Sequence, residues 1–176
     1  MLSAMKTLLL AAVALAIVHI AHAGPHRAAE IALSYEKFDQ TPDSGWRVLA
    51  AKKQYREAAQ LIGEYLSANS ELPRDQQAIL HFHAAQVLAF AGETESALKH
   101  LESASLHPEP AGSPVRWNDY VAATKAFLGG DRPALLAARE RIASGPAADG
   151  EIPNLAIVDS LIARFGEPYE KAYQRR

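Results

Sequence analysis

Residues 75–106, DQQAILHFHAAQVLAFAGETESALKHLESASL, contain the pattern from which the fold of this chain is predicted. Apolar side chains recur at helical spacing in its first half: Ala78, Phe82, Ala85 and Leu88. Gly92 then interrupts the pattern and suits the left-handed residue that follows a helix end. A second helical pattern follows it, through Ala97, Leu98, Leu101 and Ala104. Because the link is only about three residues long, we expect the two helices to fold back on each other as an antiparallel hairpin.

Small residues stand where the two helices of this hairpin and its neighbours must approach closely. Ala85 lies seven residues before Gly92, Ala97 lies five after it and Ala104 twelve after it. This spacing resembles the tetratricopeptide repeat, a helix–turn–helix unit of about 34 residues. His81 replaces the aromatic residue that the family usually carries near the start of the first helix. The resemblance implies an all-α fold in which antiparallel helix pairs stack as a short, right-handed solenoid.

The flanking sequence continues the helical pattern, with Gly, Pro, Asp and Ser between the apolar runs. Further helices are predicted over residues 27–38, 46–51, 54–68, 114–128, 131–143, 154–165 and 167–173. Gly130 and Gly166 mark two more turns, while Lys53 stands where the family usually has Gly. The polar segments 39–45 and 147–153 are predicted to be loops.

The first 23 residues have the organisation of a secretory signal peptide. Lys6 is their only charged side chain, the 13 residues 8–20 are largely apolar, and Ala21-His22-Ala23 offers small residues to a signal peptidase. The apolar run is short of the ~20 residues that a membrane-spanning helix needs, although a membrane anchor is the alternative. We therefore expect cleavage after Ala23, a helical-repeat domain over 24–176, and a periplasmic or secreted location.

The composition of the chain limits the classes of molecule that it can bind. The chain carries 18 Lys and Arg against 20 Asp and Glu, a net charge of −2, and has no basic block, which argues against a nucleic-acid partner. It has no cysteine. Packing alone must therefore stabilise the domain in an oxidising compartment.

The candidate catalytic and metal-binding residues do not form a site within any one helix. A helical metal pair needs a second ligand three or four residues away, and His81, His83 and His100 have no His, Asp or Glu at those distances. The sequence lacks a G-x-S-x-G motif and a phosphate-binding glycine loop. We expect no metal, no cofactor and no enzymatic activity. The alternative is a hydrolase whose site forms in the tertiary structure around His81 or His100.

The tetratricopeptide resemblance implies a binding face lined by the first helix of each pair. In that register the candidate partner-binding residues are Ile79, Phe82, Gln86, Arg116 and Asp119. An apolar groove with a polar edge suits an extended peptide or an amphipathic helix. We therefore expect an exported scaffold that binds a protein or peptide and has no membrane span after cleavage.

Two alternatives to an open peptide groove remain. Flanking helices can fill the groove of so short an array. An apolar cavity between helix pairs would instead make the chain a small-molecule or lipid carrier, with Phe82, Leu88, Phe90 and Phe127 as its lining.

Overall fold

The computed structural model describes residues 25–109, 113, 115–147 and 149–174, with side chains from Arg27 onward. The signal peptide and its expected cleavage site lie outside these residues. Over the described residues the chain is helical and has no β-strand, which confirms the predicted all-α class. The α-helices are α1 Pro25–Ile31, α2 Trp46–Ala51, α3 Tyr55–Ala68, α4 Arg74–Phe90, α5 Thr94–Ser103, α6 Trp117–Leu128, α7 Arg132–Ala143, α8 Leu155–Ala163 and α9 Tyr169–Ala172. None of these helices is long and apolar enough to cross a membrane.

Helices α2 and α3, α4 and α5, and α6 and α7 form packed pairs, and α3 also packs on α4 and α7 on α8. Each of the three pairs is joined by a short turn with a left-handed residue: Lys53 (φ 59°), Gly92 (φ 77°) or Gly130 (φ 71°). The methyl groups of Ala85, Ala97 and Ala104 are fully buried. Small side chains at these places let the helices of the central pair and their neighbours approach closely, as the sequence pattern predicts.

The predicted helix over 27–38 is wrong, because the chain breaks after α1. A short π-helix, Glu36–Gln40, follows instead. Here Phe38 stacks on Tyr65 with ring centroids 3.7 Å apart, and Asp39 is fully buried. The chain then doubles back so tightly that a Cβ on Gly45 would lie 2.1 Å from the Phe38 carbonyl oxygen. Burial of two side chains against α3 and α4 outweighs continuation of the helix.

Helix α6 begins at Trp117, three residues after the predicted start. The amide groups of Trp117 and Asn118 donate to Oε1 of Glu109, at 2.6 and 3.3 Å. Ser113, the residue before the predicted start, bonds to Val115 instead of capping the helix. A carboxylate from the preceding loop therefore satisfies the free amides of the first turn and offsets the helix dipole.

Candidate functional site

The last helix, α9, lies across the face that α4 and α6 present to it. On α4 that face carries Phe82, Gln86 and Phe90, four residues apart and so on one side of the helix. On α6 it carries Tyr120, Thr124 and Phe127. We call these six side chains the aromatic groove. The sequence predicts α9 as a truncated partner of α8, and α9 does contact α8, but it packs on α4 as well.

Aromatic contacts form most of this site. Tyr169 of α9 is buried, with its ring centroid 5.5 Å from that of Phe90 and 5.7 Å from that of Phe127. Tyr173, one turn later, lies 5.4 Å from Phe90. Deeper in the groove, Phe82 packs on Tyr120 at 4.9 Å and thereby joins α4 to α6. The rings proposed as the lining of a lipid cavity therefore pack against aromatic neighbours.

The groove also buries polar groups. Gln86 and Thr124 are buried beside the hydroxyl of Tyr169, and that hydroxyl has no hydrogen-bond partner among the described residues. Burial raises the pKa of Tyr169, and the nearby Tyr173 raises it further, while Gln86 and Thr124 act in the opposite sense. These two side chains thus lie close to the hydroxyl without reaching hydrogen-bond geometry. A buried polar atom left without a partner costs about 1–3 kcal/mol.

Polar contacts attach α9 to the start of α3 and the turn before it, and also to α8. Glu170 Oε1 accepts a hydrogen bond from Lys53 Nζ, in the turn between α2 and α3, at 2.9 Å, and one from the Oη of Tyr55, the first residue of α3, at 2.8 Å. On α8, the hydroxyl of Ser160 donates to the carbonyl of Ala172 at 2.8 Å. The bonds from Lys53 and Tyr55 lower the pKa of Glu170. Glu170 therefore stays ionised. The segment that carries it links Tyr55 to Ser160, which are more than a hundred residues apart in the sequence.

The candidate partner-binding residues do not all lie at α9. Phe82 and Gln86 belong to the aromatic groove and are buried, while Ile79 is half-buried. Asp119 accepts a hydrogen bond from Arg141 of α7, and the exposed Arg116 packs over Gly145, just after α7. The structure thus places Gln86 beside α9, Phe82 against Tyr120 of α6, and Arg116 and Asp119 beside α7.

Sequence reasoning missed a buried cluster around Asp39, in the segment predicted to be a polar loop. Oδ1 of Asp39 accepts from Trp46 Nε1 at 2.9 Å and from His83 Nδ1 at 2.7 Å, and Gln40 donates to Oδ2. Burial alone raises the pKa of Asp39, but the His83 and Trp46 bonds, with the charges of His83 and Arg47, hold it below its usual value. The only signal of this cluster in the sequence is an acidic residue, Asp39, placed seven residues before a tryptophan, Trp46.

A second contact that the sequence did not predict joins the two helices of the central pair. The Nδ1 atoms of His81 on α4 and His100 on α5 lie 3.0 Å apart, so one ring must carry the hydrogen and donate it to the other. Burial lowers the pKa of both imidazoles, and the charge of His100 lowers that of His81 further. Among the described residues, no carboxylate forms an ion pair with either ring. The same residues contain no group of three or more His, Cys, Asp or Glu suited to a metal ion.

Comparisons with protein-family models, with curated proteins and with solved structures gave no match. Any functional proposal must therefore rest on the geometry of the site.

Proposed function

We propose that this chain is an exported scaffold of tetratricopeptide type, in which the helix pairs stack as a short right-handed solenoid and the aromatic groove binds a short peptide. The observation that carries the proposal is α9 itself. The groove already holds a short segment of protein, residues 167–174, through aromatic and carboxylate contacts.

The length of α9 supports this interpretation. It has four residues, Tyr169–Ala172, and isolated helices shorter than about 12–15 residues are marginal in water. Its helical conformation must therefore be stabilised by the groove. A peptide with aromatic side chains one helical turn apart, as at Tyr169 and Tyr173, would meet the same surface and the same contacts.

The internal segment competes with any such peptide. A tethered segment acts at an effective concentration of about millimolar for a short flexible link. The groove is then free in only a fraction of molecules, and the apparent affinity for an added peptide falls by that fraction. Weakening α9 should raise the apparent affinity, which makes the proposal testable in the full-length chain.

The test uses a fluorescent peptide with the sequence GEPYEKAYQ, residues 166–174. We expect its anisotropy to show tighter binding to Tyr169→Ala than to the wild-type protein, because the variant releases the groove. Leu136→Ala, on the exposed side of α7, is the matched control and should bind as the wild type does. Ser160→Ala, which removes one hydrogen bond to α9, is a milder variant that serves if Tyr169→Ala unfolds.

A second peptide, with Ala in place of the first Tyr, should bind at least tenfold more weakly, since burial of a large aromatic side chain contributes about 1.5–3 kcal/mol. Failure of the original peptide to bind any folded variant, with folding verified by circular dichroism, would contradict the proposal.

A further inference from the structure

We infer that the groove selects peptides in which an acidic residue directly follows the anchoring aromatic residue, and that Lys53 and Tyr55 read this acid. The inference rests on the proposed peptide-binding function and names the chemistry of its ligand.

The contact that motivates it joins distant parts of the chain. One carboxylate oxygen of Glu170 receives both the ammonium of Lys53 (2.9 Å) and the hydroxyl of Tyr55 (2.8 Å). Both hydrogen bonds are charge-assisted, because their acceptor is a carboxylate oxygen. The oxygen of a neutral amide would accept them less strongly. Because Tyr169 is directed into the groove, the next residue of the segment is the one that meets these donors.

The backbone of Lys53 is the independent observation. Lys53, Gly92 and Gly130 occupy the same place, two residues after α2, α4 and α6 respectively. In each turn the following amide donates to the carbonyl five residues earlier, at 2.9–3.0 Å. All three residues have positive φ, a conformation that glycine adopts freely and that lysine disfavours.

Glycine is used at the other two turns for its backbone freedom, because a Cβ on Gly92 or Gly130 would meet nothing within 4 Å. A lysine in the first turn is therefore strained without any gain in packing. Residues held in such conformations cluster at functional sites. What this lysine provides, and a glycine could not, is the ammonium group that meets Glu170.

The remaining contacts define the rest of the ligand. Ala172 is fully buried, so a small residue is needed three positions after the anchor. Tyr173 packs on Phe90 and provides a second aromatic residue, whereas Lys171 is exposed and its position is free to vary. The partner is thus a short helical peptide of the pattern aromatic–acidic–any–small–aromatic.

The experiment compares two fluorescent peptides on the full-length Tyr169→Ala protein: GEPYEKAYQ and the same peptide with Glu170→Gln. We expect the Gln peptide to bind about three- to tenfold more weakly at low salt, the range for an exposed pair reinforced by a hydrogen bond. Adding Lys53→Gly to the protein should remove most of this difference. That substitution relieves the backbone strain of the turn, so a loss of affinity cannot be ascribed to unfolding.

The outcomes separate the two levels of the proposal. Equal affinity of the two peptides, or a difference that survives Lys53→Gly combined with Tyr55→Phe, would overturn the acid selectivity and leave peptide binding intact. Binding of neither peptide would overturn the function itself and the selectivity with it. Light scattering on the wild-type and Tyr169→Ala proteins should show monomers; a dimer that forms only in the wild type would assign the groove to the segment of a second copy and overturn the peptide as occupant.

Discussion

Replacing Asp39 with Ala should destabilise the protein more than almost any other polar substitution. The carboxylate is fully buried and receives hydrogen bonds from Trp46, His83 and Gln40. Its removal leaves the buried Nε1 of Trp46 without an acceptor and detaches the π-helix segment from α4. His83 and Gln40 retain some access to water, so their part of the loss is smaller.

The magnitude follows from these contacts. A hydrogen bond to a charged group contributes about 1.5–3 kcal/mol, and a buried donor left unpaired costs about 1–3 kcal/mol. Because these contributions overlap in one cluster, we expect Asp39→Ala to lower the free energy of unfolding by about 3–5 kcal/mol. Asp43→Ala, at an exposed position in the same segment, is the matched control and should change it by less than about 0.5 kcal/mol.

The pH dependence gives a second, independent readout. The folded-state pKa of Asp39 is lowered, so its contribution to stability is fully present above the ordinary value of 3.8. That contribution is lost as pH falls through the folded-state pKa. The difference in unfolding free energy between wild type and Asp39→Ala should therefore be large at neutral pH and shrink in strong acid.

Urea titrations followed by tryptophan fluorescence and circular dichroism measure both quantities, and Trp46 reports directly on the cluster. The reasoning would be refuted if Asp39→Ala cost no more than Asp43→Ala. It would also be refuted if the difference between wild type and Asp39→Ala grew as the pH fell below 4.

Three further predictions concern other parts of the chain. Since burial lowers the pKa of His81 and His100 in the folded state, their contribution to stability is full above the unfolded value of about 6.5 and is lost as pH falls towards the folded-state values. His100→Gln should therefore reduce the drop in melting temperature between pH 8 and pH 5, and an unchanged drop would contradict this. Tyr169→Phe removes a hydroxyl that has no hydrogen-bond partner in the part of the chain that the structure describes, and it should raise the free energy of unfolding by about 1 kcal/mol. Tyr65→Phe, which removes a hydroxyl bonded to a main-chain carbonyl at 3.0 Å, should lower it by a similar amount in the same urea titrations. If the chain is exported, mass spectrometry of the periplasmic or secreted protein should show cleavage after Ala23; an uncleaved N-terminus would contradict the signal peptide.

The aromatic groove shows how far the sequence reaches towards a candidate site. The helical register predicted that Phe82 and Gln86 would lie on a shared face, because residues four apart on a helix must do so. It did not predict that Tyr169 would pack on Phe90, one turn further along the same face of α4. That contact depends on where the chain returns after passing through two more helix pairs, and local spacing carries no information about this.

Most of the helices and most of their ends follow from local sequence alone. Glycine at positions 92 and 130 fixed the turns, because few other residues adopt positive φ without strain. The alanines at 85, 97 and 104 fixed where helices approach closely. These are local effects of backbone conformation and side-chain volume, and a pattern of spacing is enough to predict them.

Which polar groups meet depends on how the helices pack in the folded chain. Asp39 and His83 lie 44 residues apart, and Lys53 and Glu170 lie 117 apart. Such contacts form because the packed helices bring these side chains within reach, and at the buried Asp39 burial then favours the arrangement in which each donor has an acceptor. The same long-range packing accompanies the break in the helix predicted over 27–38, where Phe38 stacks on Tyr65 of α3 and Asp39 bonds to His83 of α4.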